Sequence, residues 1–572
     1  MPSPSADARA GDDRPQRSTL AGVRETLISI VIAFAMAFVF RGYVIEGFVI
    51  PTGSMAPTLM GKHVLARGES SGYAWPVGPW EYTGGFQRGV PLTTQTRVEV
   101  TDPITDAVVI ETNARLRAGD RVFVLKYLPI LHEPKRWDVA VFKNPATPEN
   151  YIKRIVGMPG EQLALVDGDV FTRPIGDDVS APRRGPDAWR GGGWSIERKP
   201  ERIQRSMLQL VHDTAFTPPE PGPEYRSPWV ADAGFEGLNS SRAIEKTAQG
   251  RALLAWRASR SIDDGYTYNE VPRSATFVGQ AGVYPVSDIA VTLAIEPSAE
   301  GAVITPELEA RGMVFRATVG PGSIVIERRV DVDGTPEWRT LDERPFAGLM
   351  PGRTTRVEFW HIDQAVSVYV EGELVAGGPE AGAYDLTPAA RLEASTGRDY
   401  LALVTDRTTG DPRVSPSALA NPSLYRRPSL KIAIDGPPAT LHRLRLDRDV
   451  HYQLSELRGS VATRGGHPEF FPTLDNDRFF VCGDNSPSSK DSRLWRLGDG
   501  SPDPWKADQI DPGIPTLDTR RLSTSEVNAR DEAIGTVHRD LLVGQGFVVY
   551  LPAPMRAGPV PVPDVGRMRW IW

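Results

Sequence analysis

From about Ala281 to Val450 the chain is a succession of short apolar–polar alternations cut by glycine and proline, and that pattern leaves few folds open. DIAVTLAIE, GMVFRATVG, SIVIERRV, RTTRVEFWHID, AVSVYVEGELV, SLKIAIDG and TLHRLRLDRDV follow one another with turn residues between them. Alternation with a period of two gives each strand one apolar face, so such strands must pair into sheets and cover that face with another layer. Regular short strands with Gly/Pro turns predict an antiparallel sandwich over 281–452. The whole chain holds 54 glycines and 51 prolines, nearly a fifth of its residues, which favours turn-rich β structure over helical bundles. The fold class expected is mainly β.

At 572 residues several domains are expected. Lys and Arg number 65 against 72 Asp and Glu, a net charge of -7, and no Lys/Arg-rich run occurs, so no nucleic-acid partner is expected. The single cysteine, Cys482, rules out an intramolecular disulfide and any zinc site built on paired cysteines. The eight histidines are scattered, with no H-x-H or H-x-x-x-H pair. Neither a metal nor an organic cofactor is expected.

Residues 1–19 are polar and predict a disordered cytoplasmic tail. Leu27–Phe40, LISIVIAFAMAFVF, is then apolar and uncharged, preceded by Arg9, Arg14, Arg17 and Arg24 and closed by Arg41. By length alone this run suits a cleavable secretory signal. No A-x-A site follows it, however, and the next residues, RGYVIEGFVIP, read as a strand. Leu20–Val23 and the snorkelling reach of the flanking arginines extend it. The expectation is an uncleaved single-pass anchor over 20–41 in the cell (inner/cytoplasmic) membrane. The arginine bias puts the N-terminus in the cytoplasm and the rest outside.

Strand patterns also occur in DRVFVLKYL, WDVAVFKNP and YIKRIVGMPGE after Gly119, and again in DRFFVCGDNSPSSKDSRLW and IGTVHRDLLVGQGFVVYLP after about Phe470. Between them, 168–280 is mixed. Its segment PERIQRSMLQLVHDTAF predicts a helix, with Ile203, Met207, Leu210 and Val211 on one face.

Three segments bear chemistry. In PTGSMAPTL, Ser54 sits among turn residues that can present its hydroxyl on a tight loop. In YIKRIVGMPGE, Lys153 lies beside Tyr151 and Ile155 in an alternating strand. Burial there would disfavour the ammonium, and a neutral lysine serves as a general base. In GDNSPSSKDSR, Asp491 and Arg493 read as an ion pair within a polar loop.

Together, in this order and behind an anchor, these segments resemble those of bacterial type I signal peptidases (leader peptidases). That family shows P-S-G-S-M-x-P-T-L, then G-D-x-V-x-F-x-x-P with Y-I-K-R-x-V-G-x-P-G-[DE], then G-D-N-x-x-x-S-x-D-S-R. The resemblance covers 42–167 and about 468–572 and implies a β catalytic core split by a large insertion. Within the core, 62–117 is partly inserted and 494–533 inserted. Thr52 stands where the family often has serine, and Trp137-Asp138 replaces its usual Gly-Asp. Within the insertion, RVEFWHIDQAVSVYVEGELV resembles the hairpin of legume-lectin and laminin-G jelly rolls.

The family resemblance implies a serine–lysine endopeptidase. Ser54 would be the nucleophile, Lys153 the general base, and Ser489 the group orienting the lysine amine. The Ser54 amide and the Thr52 hydroxyl would bind the oxyanion. Gly483 would let the third segment approach the dyad, with Asp484, Asp491 and Arg493 as its support. An extended substrate would lie between Phe48–Pro51 and Asn150–Ile152, the latter including Tyr151. Ile50, Met55, Leu59 and Ile152 would line the pocket for the residue before the cut, and Phe48 and Val141 the one two residues further back. The implied partners are signal peptides of exported preproteins, cut after A-x-A, and the lipid bilayer. A glycan or protein ligand of the insertion is suggested by Trp360, His361 and Tyr369.

Two other readings compete. One is a membrane-tethered binding protein with a lectin-like domain and an inactive peptidase core, against which Ser54, Lys153 and Ser489 are all present. The other is a self-cleaving SOS-repressor-type peptidase, against which stand the anchor and the lack of a DNA-binding helix pair.

Overall fold

The computed structural model describes residues 19–78, 98–111, 116–127, 132–144, 150–176, 184–220, 225–239, 242–265, 283–332, 335–406, 418–454, 462–495, 535–557 and 560–571. The expected tail at 1–19 lies outside these apart from its last residue, and so does nearly all of the 494–533 segment. The protein is mainly β, with one long helix at Thr19–Tyr43. Its 25 residues reach about 37 Å at 1.5 Å per residue, against a hydrocarbon layer of about 30 Å. Val23–Tyr43 has a mean hydropathy of 2.0, and none of its apolar window is buried within the protein. The helix is therefore long and apolar enough to cross a bilayer, and it absorbs the residues on both sides of the apolar run. Tyr43 and Val44 then lead directly into the strand Ile45–Val49.

One antiparallel sheet joins the two ends of the sequence. Its order is Ile45–Val49, Arg121–Lys126, Leu542–Leu551, Val139–Lys143, Asn150–Gly157, Arg478–Cys482 and Val537–His538, with Arg569–Trp570 attached to Leu542–Leu551. A strand from near the C-terminus thus lies between two from the N-terminal part, so neither part can complete the sheet alone. One face buries Ile50, Met55, Leu59, Val122, Val124, Val139, Val141, Ile152, Val549 and Ile571 as a single cluster.

The intervening chain builds a sandwich of two antiparallel sheets. One runs through Ala439–Arg448, Ile289–Pro297, Thr355–Ile362 and Ala365–Val370, and the other through Ser429–Asp435, Val303–Ala310, Met313–Val319 and Gly322–Val332. Their inward side chains, such as Val291, Leu293, Phe359, Leu444, Ile304, Phe315, Ile326 and Ile432, form one core. The jelly-roll-like hairpin is present: Ala365–Val370 pairs with Glu373–Gly377. Its turn residues Glu371 and Gly372 have φ of 53° and 90°, the left-handed pair that matches strand twist in a two-residue turn.

Three expectations are corrected here. Strands before residue 281, including Gln209–Asp213, Ile244–Lys246 and Ala252–Trp256, belong to the sandwich sheets. They are too short to show a clear alternation. The expected helix at 200–216 is helical only over Glu201–Met207, and Gln209–Asp213 is a strand paired with Ala439–Arg448. An open position beside that strand outweighs the helical spacing of Leu210 and Val211, because pairing satisfies the backbone and packs Leu208 on the sheet. Finally, Trp360, His361 and Tyr369 are all buried. His361 hydrogen-bonds Ser287 and Tyr384, while Arg205 stacks on Trp360 and Tyr369, so these residues are packing groups with no free face for a glycan.

The insertion is locked to the core by buried charge. In the Glu161–Val166/Asp169–Pro174 hairpin, Asp167 pairs with Arg311 at 2.7 Å and with Arg391 at 3.1 Å, and Asp169 pairs with Arg391 at 2.6 Å. Lys199 bridges Asp363 and Asp449 and lies 5.5 Å from the Trp137 ring. Within 62–117, His63–Arg67 pairs with Ala74–Val77 and with Leu116–Arg117 around a small core of Val64, Trp75, Val77 and Val100.

Candidate active site

The strand Ile45–Val49 ends at Ile50, whose amide donates to the Asp120 carbonyl. Pro51 has no N–H with which to extend a ladder, so the chain leaves the sheet and turns. Asp120 closes the resulting loop from behind, its carboxylate accepting from the Met60 amide at 2.8 Å. Ala56 donates to Gly53 and Leu59 to Met55 within the loop. Met55 and Leu59 are fully buried in the core cluster, so apolar burial of one side of the loop leaves Ser54 half-buried on the other.

Lys153 comes from the strand Asn150–Gly157, opposite Ala140. Its Nζ lies 2.6 Å from Ser54 Oγ and 3.1 Å from the Ile152 carbonyl oxygen. The side chain is 5% exposed. Burial disfavours its ammonium form and brings the amine down to about 8, with Asp491 pulling upward and Arg493 downward. Thr52 Oγ1 stands 3.5 Å from Ser54 Oγ. The arrangement can therefore pass a proton between a hydroxyl and an amine with no histidine, and among the described residues no cluster of metal-ligating side chains occurs.

The third segment closes the back of the site. Gly483 follows the strand Arg478–Cys482, and its amide donates to Asp491 Oδ2 at 2.8 Å. The Asn485 amide donates to the Ser54 carbonyl at 3.1 Å and its Nδ2 to the Gly53 carbonyl at 2.9 Å. Asp491 and Arg493 form a buried two-point pair, Nε to Oδ1 at 2.9 Å and Nη2 to Oδ2 at 2.8 Å. Burial works to raise the Asp491 carboxyl, but the Arg493 guanidinium outweighs it and holds the group below the usual carboxylate range.

One implied contact is absent. The Ser489 hydroxyl is buried against Gly483 and beside the Asp491 carboxyl, which it helps to hold low, and no bond from it to the Lys153 amine occurs among the described residues. The bonds of the lysine amine go to Ser54 and to its own strand.

The residues expected to meet substrate share one region. Ile50, Met55, Leu59, Val141 and Ile152 belong to the same apolar cluster, with Phe48 packed on it. Asn150 and Pro51 are exposed and Tyr151 is half-buried. Among the described residues, Ile45–Val49 pairs only with Arg121–Lys126. Arg478–Cys482 meets the lysine strand only at Arg154, Ile155 and Gly157, so no described strand pairs with the outer edge of Asn150–Ile152. Among the described residues, both segments keep an open edge.

Several residues of the site escaped the sequence reading. Arg154 grips Asp484 at 2.8 and 2.7 Å, with neither side chain exposed. Thr58, from the serine loop, donates to the same carboxylate. Arg154 also donates to the carbonyl of Trp137 at 2.7 Å, and Trp137 itself has φ of 74°. Adjacency of Arg154 to Lys153 and of Asp484 to Gly483 was the available signal, but pairing between segments so far apart in sequence was not readable.

A family profile, "Signal peptidase, peptidase S26", matches residues 98–190. The chain is 28% identical over 139 residues to signal peptidase I of Buchnera aphidicola subsp. Schizaphis graminum, covering 24% of this chain and 30% of that protein. It is 32% identical over 127 residues to signal peptidase I of Pseudomonas fluorescens (22% and 29% covered), and 26% over 161 residues to that of Rickettsia typhi (28% and 47%). The chain thus spans less than half the length of these relatives. A Bacillus subtilis protein of unknown function with a galectin-like fold is 6% identical over 43% of this chain and 99% of its own, with a TM-score of 0.24. The sequence matches lead to one identification: over residues 98–190 the chain carries a peptidase S26 domain.

Proposed function

We propose that this protein is a membrane-anchored serine endopeptidase that removes signal peptides from exported preproteins after small residues in an A-x-A pattern. The observation that carries this reading is the 2.6 Å contact between Lys153 Nζ and Ser54 Oγ in a buried setting that brings the amine to about 8. At pH 7 about a tenth of such amines are neutral, against fewer than about one in a thousand for an ordinary lysine.

The neutral Lys153 amine takes the Ser54 proton as Oγ attacks the scissile carbonyl. The Thr52 hydroxyl and the Ser54 amide receive the oxyanion. Lys153 then returns the proton to the leaving amine, and an acyl-enzyme remains on Ser54. Water then attacks the acyl carbonyl, giving its proton to Lys153, and as the acyl–Oγ bond breaks Lys153 passes that proton to Ser54 Oγ, restoring both groups. The open edges at Ile45–Val49 and Asn150–Ile152 support binding of substrate as an added strand. The apolar cluster beneath them supports shallow pockets that admit small side chains. The helix Thr19–Tyr43 is read as the anchor, with its N-terminus in the cytoplasm and the catalytic core outside.

The test is to incubate the full chain in detergent with a preprotein bearing an A-x-A site, beside Ser54→Ala and Lys153→Ala. Cleavage at that site by the parent alone is expected. A folded parent that cuts none of several preproteins would overturn the reading in favour of a membrane-tethered binding protein.

A further inference from the structure

We infer that the inserted sandwich is a working part of the active site, and that Ser486 is the positioning residue through which it holds the catalytic loop. The inference rests on the reading of Ser54 and Lys153 as a dyad. After the strand Ala439–Arg448 the chain runs straight from the sandwich to the back of the site, with Asp449 through Leu454 all buried. There the Gln453 amide donates to Ser486 Oγ at 2.8 Å. Arg493 Nη1 donates to the same oxygen at 2.6 Å, and Arg493 Nη2 to the Ser486 carbonyl at 3.0 Å. A hydroxyl oxygen has two acceptor sites, and here the insertion takes one and the catalytic loop the other.

Both ends of this link are fixed. On the insertion side, Gln453 Nε2 donates to Asp264 Oδ2 at 2.6 Å, and the Tyr452 amide donates to the Gly168 carbonyl at 3.2 Å. On the catalytic side, Arg493 holds Asp491, which accepts from the Gly483 amide, and Gly483 touches both Ser489 and Ser54. After burial itself, Asp491 and Arg493 are the strongest influences on the Lys153 amine, and they act in opposite directions. Burial of the amine and the placement of these two charges against it together govern its basicity, and Ser486 fixes where Arg493 lies. The described hydrogen bonds of the Ser486 side chain go to Gln453 and Arg493 and none to Ser54 or Lys153, so it acts through Arg493 and Asp491 and through its neighbour Asn485, which holds the Ser54 and Gly53 carbonyls.

The test uses the full chain in detergent with Ser486→Ala, Ser486→Thr and Gln453→Ala. Preprotein cleavage gives kcat and KM. Competitive labelling of Lys153 by acetic anhydride across pH, read by peptide mass spectrometry, reports the amine without assuming a substrate. Loss of a buried hydrogen bond to a charged partner predicts a fall in kcat of about tenfold for Ser486→Ala. KM should stay within about twofold, the Lys153 labelling midpoint should move upward as the packing around the amine loosens, and Ser486→Thr should restore both. Labelling and kcat like the parent's would overturn the inference, as would a loss that follows thermal unfolding and is not restored by threonine. If Ser486→Ala does not fold, Gln453→Ala decides in the same way, since it keeps the amide but releases the anchor at Asp264. If the parent cleaves no preprotein, the functional reading fails, while an upward shift of the labelling midpoint alone still upholds the link and an unchanged midpoint overturns it.

Discussion

A β-carbon on Gly483 would fall 2.4 Å from the Ser54 carbonyl oxygen and 2.1 Å from the Ser489 hydroxyl oxygen. The nucleophile's loop and the loop behind it meet at a point where only a hydrogen fits. The backbone oxygen cannot swing aside as a side chain would, so Gly483→Ala must push the two loops apart. Overpacking of this kind costs about 1–3 kcal/mol, and a displacement of about 1 Å at the nucleophile costs about a hundredfold in rate. The expected outcome is a modestly lowered melting temperature with cleavage reduced by about two orders of magnitude. A Gly483→Ala protein that cuts at the parent's rate would contradict the close approach.

The lowered basicity of Lys153 sets a pH profile. Below about 8 the amine is mostly protonated, so kcat/KM should rise about tenfold per pH unit and level off above that point. Lys153→Arg, which cannot lose its proton, should be inactive throughout.

Stability carries the opposite sign. The folded-state value of about 8 lies below the ordinary 10.5, so the unfolded chain binds the proton more tightly. The resulting destabilisation, roughly 3 kcal/mol, is fully present below pH 8, fades between 8 and 10.5, and is absent above. Lys153→Met should therefore melt higher than the parent at pH 7, with the gap closing as the pH rises towards 10.5. Parallel melting curves across that range would refute it.

Arg154 and Asp484 form a fully buried two-point pair that joins the strand of Lys153 to the loop of Gly483. Asp484→Asn leaves the guanidinium buried and unpaired and should cost about 3–5 kcal/mol. Replacing both by apolar residues, as in Arg154→Met with Asp484→Leu, should recover much of that loss in a denaturant titration. Activity should not recover with it, because Thr58 also loses its acceptor.

Trp137 holds a φ of 74°, a conformation that glycine adopts freely and a bulky residue does not. Trp137→Gly relieves backbone strain of about 1–3 kcal/mol but empties the site of a buried indole, which costs about 3–5 kcal/mol. The lost packing outweighs the relieved strain, so the variant should be less stable. The indole packs in the cluster that holds Leu163, Trp194 and Tyr452, with the Lys199 amine 5.5 Å away, so its loss should also loosen the insertion. Proteolysis at the junctions near 168 and 467 should quicken in Trp137→Gly. An unchanged digestion pattern would argue against that contact.

Part of the candidate site was readable before any folding. The hydroxyl and the amine that meet at 2.6 Å were each named from a short motif, because turn residues around Ser54 and alternation around Lys153 are local features. The apolar residues that the family resemblance assigned to the substrate pockets lie in one cluster. Leu210 and Val211 were misread because local spacing fits both a helix and a strand, and the free position beside Ala439–Arg448 decided between them.

The sequence by itself determined the mainly β class and the apolar segment that became the helix Thr19–Tyr43, while the serine and the lysine were picked out as a pair by the resemblance of their motifs to those of a family. The class and the apolar segment follow from periodicity and hydropathy, which need no partner. Only the tertiary structure decided that Leu542–Leu551 lies between Arg121–Lys126 and Val139–Lys143, that Arg154 finds Asp484, and that Gln453 reaches Ser486. It also decided that Trp360, His361 and Tyr369 are interior. Each of these depends on which distant segments come together to bury apolar area and satisfy buried charge, and no local pattern carries that information.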